Sequence, residues 1–383
     1  MHILIVDDNP VNLIVIEKIL KSAGYMEYTA MTSSKELFDY LDMDRAPAFE
    51  AKNKNPVDLI LMDIMMPVMD GIESCRIIQK DERLRDIPII MVTALGDSLK
   101  LAEALEAGAI DYVIKPINKI ELIARIRVAL RLKYEKDWHK ENEKRIRHEL
   151  ELAKQVQGNV LSPPLRDEHL DIKAVYHPSS ELAGDYYAWY RIDNHRYGVI
   201  ILDIMGHGIS SSLVCMFISS VMQDTINRYV SPEIVIAELN RYMNQLNSRG
   251  QSISYYFTAI YLLIDVELKT IEYVNAGHPP GLLIENGQLI SLLDQGTCAI
   301  GFFEQAEINR GTVSFQESVE IVLYTDGLLE AIDDSENDPL DTLSDALKNY
   351  TGQELASVID HLLPPELLEI QTDDICLVRV TVS

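Results

Sequence analysis

The chain has 383 residues, of which 47% are hydrophobic and 25% are charged, and its formal net charge is −26. This length exceeds one ordinary core, so two or three domains are expected, and the composition is that of a soluble globular protein. The strong negative charge argues against nucleic acid or an anionic membrane as a main partner, because both require a basic surface.

Cysteine usage and the N-terminal sequence favour a cytoplasmic location. The four cysteines (Cys75, Cys215, Cys298 and Cys376) lie far apart and form no CxxC pair, which is typical of free thiols in a reducing compartment and disfavours zinc. The N-terminus, MHILIVDDNP, becomes acidic after a few apolar residues, unlike a signal peptide. No apolar run approaches the roughly 20 residues of a membrane span. We therefore expect a cytoplasmic protein without a membrane partner.

Residues 1–117 alternate between short apolar runs and amphipathic helical stretches such as Val11–Ser22 and Leu99–Ala107. The apolar runs are Ile3–Val6, Asp58–Met62, Ile87–Val92 and Tyr112–Ile114. Buried strands that alternate with helices predict an α/β fold with a doubly wound, parallel five-stranded sheet. Ligands of such sheets bind at the carboxyl ends of the strands. The polar residues at these ends are Asp7, Asp63, Thr93 and Lys115.

These strand-end residues suit the acceptance of a phosphoryl group. That chemistry needs a carboxylate nucleophile, a Mg²⁺ ion that neutralises the incoming charge, and groups that hold the phosphoryl oxygens. Asp63 closes a buried strand and would be the nucleophile, while Asp7 and Asp8 would serve the metal. Thr93 and Lys115 would contact the phosphoryl oxygens, and the Lys115-Pro116 bond is expected to be cis.

Asp58 is a rival phosphoacceptor on residue type alone. It starts its strand rather than ending it. We therefore expect it at the opposite edge of the sheet, away from the other polar residues.

Four segments of this region resemble the response-regulator receiver domain, in family order, over about residues 1–130. The segments are ILIVDDNPVN, DLILMDIMMPVMDG, IIMVTA and DYVIKP. The resemblance implies that Asp63 is the phosphoacceptor, with Mg²⁺ held by Asp7, Asp8, Asp63 and the Met65 carbonyl. It also implies that Thr93, Tyr112 and Lys115 form the conformational switch, and that a sensor histidine kinase supplies the phosphoryl group.

A helical pattern runs from about Ile117 to Leu161, with dense charge and apolar residues at three-to-four spacing. It predicts one long connecting helix or two in series. The apolar stripe is broken near Asn142, which weakens the case for a continuous coiled coil. The segment is either a solvated spacer or a dimerising helix that carries a signal, and a homodimer would form through it or through the receiver.

Beyond Ser162-Pro163-Pro164, which ends the helical pattern, the sequence becomes strand-like with two helical stretches, Ser210–Asn227 and Pro232–Leu246. This order predicts an α+β fold, a β-sandwich flanked by helices. The strand-like runs are Ile172–Tyr176, Gly198–Asp203, Phe257–Asp265, Thr270–Asn275, Val319–Tyr324 and Ile375–Val382. The predicted domains are therefore residues 1–125, a helical linker at 126–161, and residues 162–383.

Four aspartates in the C-terminal half lie at or beside strand ends, mostly next to a glycine that permits close backbone approach. They are Asp185, Asp203, Asp326 and Asp373. Hydrolysis of a phosphate monoester needs an activated water and a stabilised leaving oxygen, and two divalent metals bridged by a carboxylate supply both. Mg²⁺ and Mn²⁺ prefer oxygen ligands, so aspartates and main-chain carbonyls are suitable donors.

These segments resemble the PP2C-type metal-dependent phosphatases, in particular the bacterial stress-response branch that controls sigma factors, over about residues 150–383. The motifs are ELAKQVQGNVLSPP, ELAGDYYAW, LDIMGHGISSSLV, YVNAGHPP, LYTDGLLEA and DDICLVRV. The resemblance implies that Asp203 bridges two Mn²⁺ or Mg²⁺ ions, that the Ile204 carbonyl binds one, and that Asp185, Asp326 and Asp373 complete the shells. It implies a serine/threonine protein phosphatase whose substrate is a phosphorylated anti-sigma-factor antagonist.

Some assignments stay open on sequence alone. His207 is either a general acid or a loop residue held by its glycines, and His278 is expected to order a turn. Asp374 is expected to cap backbone beside Asp373, although the two roles could be exchanged. Ala188 stands where this branch often has an acid, which would weaken a peripheral metal or substrate contact. An alternative function for the C-terminal half is an inactive adaptor that sequesters a regulatory partner.

Overall fold

The computed structural model describes residues 1–43, 57–94, 98–248, 254–332, 338–349, 354–364, 368 and 371–383. It divides into two compact units, Met1–Ile146 and Arg147–Ser383. Each unit has its own sheets and its own buried clusters, so each is described by itself.

The first unit contains a five-stranded parallel sheet with the strand order β2-β1-β3-β4-β5. The strands are β1 His2–Val6, β2 Glu27–Met31, β3 Val57–Asp63, β4 Ile89–Thr93 and β5 Asp111–Ile114. The helices are α1 Pro10–Ser22, α2 Ser34–Tyr40, α3 Gly71–Lys80, α4 Ser98–Glu106 and α5 Lys119–Gly158. The doubly wound parallel sheet predicted from the sequence is confirmed.

Apolar clusters cover both faces of this sheet, which explains why its central strands are continuous runs of Ile, Leu, Val and Met. One cluster packs α1 and the first turns of α5 against the sheet, and the other packs α3 and α4 residues against the opposite face. Strand β2 was not among the predicted runs. It is an edge strand in which only Met31 is buried, so its sequence, EYTAM, lacks the continuous apolar signal.

Helix α5 is a single helix of 40 residues that crosses the boundary between the two units. Its first turns bury Leu122, Ile126 and Leu130 in the core of the first unit. Farther along, the carboxylate of Asp86 accepts hydrogen bonds from Lys136, at 2.6 Å, and from Lys140. Burial raises the pKa of Asp86, but the two lysines outweigh that effect and lower it to about 2.

The second unit contains two six-stranded sheets, ordered β14-β11-β10-β9-β8 with β15 on β11, and β13-β12-β16-β17-β7-β6. The strands up to β11 are β6 Leu165–Arg166, β7 Leu170–His177, β8 Tyr186–Arg191, β9 Arg196–Ile204, β10 Phe257–Asp265 and β11 Thr270–Ala276. The remaining strands are β12 Gly281–Glu285, β13 Gln288–Leu293, β14 Gly296–Thr297, β15 Gly311–Ser314, β16 Val319–Tyr324 and β17 Ile375–Val382. The helices are α6 Ile209–Tyr229, α7 Pro232–Asn247, α8 Asp326–Ile332, α9 Pro339–Asn349 and α10 Leu355–Leu362.

The two sheets pack face to face, and helices cover their outer faces. One apolar cluster fills the space between the sheets, a second lies under α6 and α7, and a third lies under α8, α9 and α10. The predicted sandwich flanked by helices is confirmed. The predicted elements did not include strands β6, β8, β12, β13, β14 and β15 or helices α8, α9 and α10.

Helix α6 is the one described helix whose length and composition would allow it to cross a membrane. It is therefore an exception to the expectation that no apolar run approaches that length. About half of the window concerned (44%) is buried, and Val214, Ile218 and Met222 pack in the cluster beneath it. A core helix passes the same test of length and hydropathy.

Candidate functional sites

The first candidate site lies at the carboxyl edge of the parallel sheet and gathers three carboxylates. Asp7 follows β1 and Asp63 ends β3, and their carboxylate oxygens and that of Asp8 all lie within 4.8 Å of one another. Lys115 follows β5, and its ammonium lies 2.8 Å from Asp7 Oδ2 and 3.0 Å from Asp63 Oδ1. The predicted convergence of these strand ends is confirmed, and the Lys115-Pro116 bond is cis.

Burial and charge set the protonation of this first site. The pKa of Asp63 is raised, first because the carboxyl is buried, and also by repulsion from Asp7 and Asp8; the hydrogen bond and charge of Lys115 oppose the rise. Burial lowers the pKa of Lys115, but its bonds to Asp7 and Asp63 outweigh burial, and the net pKa is raised. Asp7 Oδ1 accepts hydrogen bonds from the Asn9 amide and the Asn12 side chain, which orient this carboxylate.

The other residues predicted for this site occupy different surroundings. Thr93 is buried at the end of β4, and Tyr112 is half-buried with the Arg125 guanidinium 5.6 Å from its ring centroid. Met65 is exposed, and the Lys100 ammonium lies 3.5 Å from its sulfur. Asp58 accepts a hydrogen bond from the His2 amide at the start of the strands, which is the opposite edge, as predicted.

The second candidate site lies where strand ends of the two sheets in the second unit meet. Asp203 is the penultimate residue of β9 and Asp185 directly precedes β8. Asp326 begins α8 directly after Thr325, and Thr325 exchanges hydrogen bonds with Cys376 on β17, shortly after Asp373. The side chain of Asp203 is repelled by the charges of Asp326 and Asp373, so these segments share one electrostatic neighbourhood.

Asp185 is the most deeply buried of these carboxylates, at 1% exposure. Among the described residues, its Oδ2 atom has no hydrogen-bond partner. Burial, followed by the charges of Asp203 and Asp374, raises its pKa well above the ordinary range. A buried carboxylate oxygen without a donor is costly unless a cation or a proton satisfies it.

The Asp203 carboxyl is also affected by burial and by repulsion from neighbouring carboxylates. Its pKa is raised to about 7, first by burial and then by the charges of Asp326, Asp373 and Asp374, against a hydrogen bond with Asp185. The groups that raise it are all carboxylates, whereas Lys115 offsets the repulsion in the first site. The donor set therefore fits hard divalent cations, which prefer clustered carboxylate oxygens.

A main-chain carbonyl lies close to the segment that carries Asp185. A Cβ atom on Gly184 would lie 2.9 Å from the Ile204 carbonyl oxygen and 3.1 Å from that of Gly206. Only glycine lets the segment before Asp185 approach these carbonyls so closely. The Ile204 carbonyl therefore packs against the residue directly before Asp185.

The two histidines differ in exposure. His207 is exposed between Gly206 and Gly208, whose φ angles of 79° and 86° are both positive. His278 is buried, and its ring Nδ1 lies 2.7 Å from Thr258 Oγ1. Burial lowers the pKa of His278 to about 3, so the ring is neutral. The Asn275 side chain bonds both the amide and the carbonyl of His278, which orders the turn in which it lies.

Sequence reasoning did not identify three residues that hold the Asp185 segment. Gln157 of α5 is buried, and its amide donates to the Ala183 carbonyl at 2.7 Å and accepts from the Ala183 amide at 3.1 Å. The Tyr176 hydroxyl donates to the Asp185 carbonyl, and Ser179 bonds Asp374. Gln157 lies four residues after Ala153 and three before Val160, which places it on the apolar face of the helix. A polar residue at such a position indicates a buried side chain, so the sequence did contain a signal for it. Ala188 is buried in the cluster beneath α6.

Comparison with protein families matches both units. Residues 3–127 match the response regulator receiver domain, and residues 193–383 match Stage II sporulation protein E (SpoIIE). Together with the fold and the two carboxylate sites, these matches indicate two kinds of domain. The chain joins a region that matches the response regulator receiver domain to a region that matches SpoIIE.

Individual relatives match one or the other part. "Phosphoserine phosphatase RsbP" of Bacillus subtilis (strain 168) is 38% identical over 243 residues, which are 62% of this chain and 58% of RsbP. "Probable transcriptional regulator ycf27" of Guillardia theta is 40% identical over 129 residues, which are 34% of this chain and 45% of that protein. The chain thus spans about half the length of these curated relatives.

One solved structure supports the fold of the second unit. The SiaA-PP2C domain of Pseudomonas aeruginosa superimposes with a TM-score of 0.53 at 19% sequence identity. The match covers 63% of this chain and 99% of that domain. At this identity the likeness shows a shared PP2C fold.

The repulsion between these carboxylates leads to a prediction about the stability of the fold. The raised pKa of Asp203 means that its bound proton stabilises the fold fully only below the ordinary aspartate pKa of 3.8, and that this contribution is lost progressively as the pH rises from there to about 7. Asp203→Asn removes the charge, so in EDTA at pH 8 we expect the variant to unfold at a temperature higher by about 2–4 °C, the shift for roughly 1 kcal/mol. Differential scanning calorimetry measures this. A lower unfolding temperature than that of the wild type would contradict the prediction.

Proposed function

We propose that the chain is a two-component response regulator in which phosphorylation of Asp63 controls a metal-dependent serine/threonine protein phosphatase. The observation that carries the enzymatic part is the buried cluster around Asp185 and Asp203, in which like charges face one another and Asp185 Oδ2 lacks a donor among the described residues. Clustered carboxylates of this kind are unfavourable without cations. An inactive adaptor has no physical need for them.

In this proposal Asp203 would be the central ligand of two Mn²⁺ or Mg²⁺ ions, and Asp185, Asp326, Asp373 and the Ile204 carbonyl would be the further ligands. When bound, such ions supply positive charge to the phosphoryl oxygens and lower the pKa of a bound water. The protein's own contribution is to hold these oxygens in place before the ions bind. The close approach of Gly184 to the Ile204 carbonyl and the burial of Asp185 support that role.

The substrate is proposed to be a phosphorylated anti-sigma-factor antagonist, and the output is sigma-factor-dependent stress transcription. The relative RsbP is named a phosphoserine phosphatase, which supports phosphoserine as the group that is hydrolysed. His207 lies on the exposed loop directly after the Asp203 segment. A role there as a loop residue fits its two positive-φ glycines.

In the first unit, Asp63 is proposed to accept the phosphoryl group from a sensor histidine kinase, with Mg²⁺ held by Asp7, Asp8, Asp63 and the Met65 carbonyl. Lys115 contacts both Asp7 and Asp63, so the arrival of a phosphoryl group must change its contacts. Thr93 and Tyr112 would then repack as the switch. We propose that this chemistry takes place in the cytoplasm.

Helix α5 is the proposed route of coupling between the two sites. In the first unit it is held by Asp86 through Lys136 and Lys140. In the second unit its Gln157 holds Ala183, two residues before Asp185. We retain functional boundaries at residues 1–125, 126–161 and 162–383, with dimerisation through the receiver or the linker helix as part of the proposal.

The phosphatase assignment predicts that Asp203→Asn abolishes Mn²⁺-dependent hydrolysis of p-nitrophenyl phosphate and of the phosphoprotein. Loss of about 3 kcal/mol or more of transition-state stabilisation corresponds to a rate at least roughly a hundredfold lower. Asp224→Asn, which removes the same charge at an exposed position of α6, is the matched control and should retain activity. Calorimetric titration with Mn²⁺ separates the alternatives, because failure of the wild type to bind Mn²⁺ would favour the adaptor.

The receiver assignment predicts that Asp63→Asn leaves basal hydrolysis intact and removes its stimulation by acetyl phosphate. Without the carboxylate nucleophile, no acyl phosphate can form. Asp58→Asn is the matched control, because Asp58 lies at the opposite edge of the sheet. Phosphatase rates with and without acetyl phosphate measure the effect, and stimulation that persists in Asp63→Asn would sink the proposed switch.

The coupling route predicts that Asp86→Asn reduces stimulation by acetyl phosphate while basal hydrolysis stays near the wild-type rate. The substitution removes the charge that holds two successive turns of α5. Glu82→Gln removes a charge from the same turn at an exposed position and serves as the control. Because ion pairs are screened by salt, stimulation of the wild type should also fall between about 0.1 and 1 M salt. Equal stimulation of both variants would count against this route.

A further inference from the structure

Asp374 is buried to 3% exposure, and both of its carboxylate oxygens are engaged by hydrogen bonds within the protein. Its Oδ1 atom accepts hydrogen bonds from the Ser179 amide at 2.8 Å and the Ser179 hydroxyl at 2.9 Å. Its Oδ2 atom accepts a hydrogen bond from the Gly184 amide at 2.7 Å. These three bonds reach residues about 190 positions away in the sequence and hold the segment that leads into Asp185.

The neighbouring Asp373 has a different environment. It is partly exposed, and its Oδ1 atom accepts the Asp374 amide at 2.8 Å. The two adjacent aspartates therefore differ in their bonds to the described residues: the Asp373 carboxylate has one bond, to the next residue, whereas the Asp374 carboxylate has three bonds to a distant segment. The two roles left open by the sequence are thus distinguished by hydrogen bonding.

The main chain of Asp374 also contacts the segment that carries Asp326. Its carbonyl oxygen accepts the Thr325 hydroxyl at 3.3 Å. A Cβ atom on Gly327 would lie only 2.1 Å from the same carbonyl oxygen, so the turn after Asp326 packs directly on Asp374. The same residue therefore touches the Asp185 and Asp326 segments and is covalently joined to Asp373.

The Asp203 segment is joined to this arrangement through Gly184. That glycine donates to Asp374 on one side, and it packs against the Ile204 carbonyl on the other. Loss of the Asp374 carboxylate would free the amide that sets the distance between Asp185 and the end of β9. The expected consequence is a change in the spacing of carboxylates from several segments.

We infer that Asp374 is a positioning residue of the phosphatase site, which fixes Asp185 relative to Asp326, Asp373 and the Ile204 carbonyl before a metal ion binds. This inference rests on the proposed phosphatase function. The role proposed for Asp374 differs from metal ligation, because both carboxylate oxygens of Asp374 already accept hydrogen bonds from N–H and O–H donors. A residue that holds the ligands without contacting the ion typically changes metal affinity by about 10–100-fold when it is replaced.

The test compares two graded substitutions in the full-length chain with a matched control. Asp374→Asn keeps an acceptor for Ser179 but turns an NH₂ group toward the Gly184 amide, where two donors cannot bond. Ser179→Ala removes only the hydroxyl bond. Ser180→Ala is the control, because its hydroxyl bonds locally to the Leu182 carbonyl and not to Asp374.

Three measurements apply to each protein: the calorimetric Mn²⁺ affinity, amide hydrogen exchange at Gly184 without metal, and the unfolding temperature in EDTA. For Asp374→Asn we expect Mn²⁺ affinity to fall by at least about tenfold, with faster exchange at Gly184. Saturating Mn²⁺ should restore most of the hydrolytic rate. Ser179→Ala should shift affinity in the same direction by a smaller factor, and Ser180→Ala should match the wild type.

A lowered unfolding temperature with unchanged Mn²⁺ affinity in Asp374→Asn would overturn the inference, since that is the result of a purely structural role. If Asp374→Asn does not fold, Ser179→Ala decides, and affinity equal to that of Ser180→Ala would overturn it. The proposed function fails separately if the wild type binds Mn²⁺ but hydrolyses no phosphoester. Failure of the wild type to bind Mn²⁺ would overturn both.

Discussion

Repulsion between neighbouring carboxylates is the physical constraint on which both sites depend. In the first site, the Lys115 ammonium forms ion pairs with both Asp7 and Asp63, so a cation offsets part of the repulsion between them. In the phosphatase domain, the groups that act on Asp203 are other carboxylates, and the pKa of Asp203 rises to about 7. The first site therefore carries its own compensating charge, whereas in the second cluster bound protons or added cations must offset the repulsion.

This difference fits the two kinds of chemistry that we propose. A phosphoacceptor must be available for covalent attack, so Asp63 would need a mobile partner such as a lysine that can follow the phosphoryl oxygens. A metal ligand must stay in place, and in the second unit the main chain around the carboxylates is held by hydrogen bonds with Gln157, Tyr176 and Asp374. The same residue type would thus serve two functions because its surroundings differ.

Helix α5 contacts each unit through polar side chains rather than only through apolar packing. Asp86 holds it in the first unit, and Gln157 joins it to the Asp185 segment in the second. Polar contacts are directional, so a rotation or shift of the helix changes them more abruptly than it would change apolar packing. This property fits the proposed role of α5 in coupling the two sites.

The amino-acid sequence alone determined the fold of both domains, and it predicted a chemistry for their strand ends. Buried apolar strands and the order of the aspartate-containing motifs are local properties that can be read directly from the sequence. They predicted Asp63 and Asp203 as the central residues. The half-exposed edge strand β2 escaped detection because its pairing depends on β1 and not on its own apolar pattern. Only the tertiary structure decided which of Asp373 and Asp374 has its oxygens engaged, because the donors to Asp374 come from Ser179 and Gly184, far away in the chain. Hydrogen bonds between distant segments depend on how strands are brought together, and no local pattern encodes them.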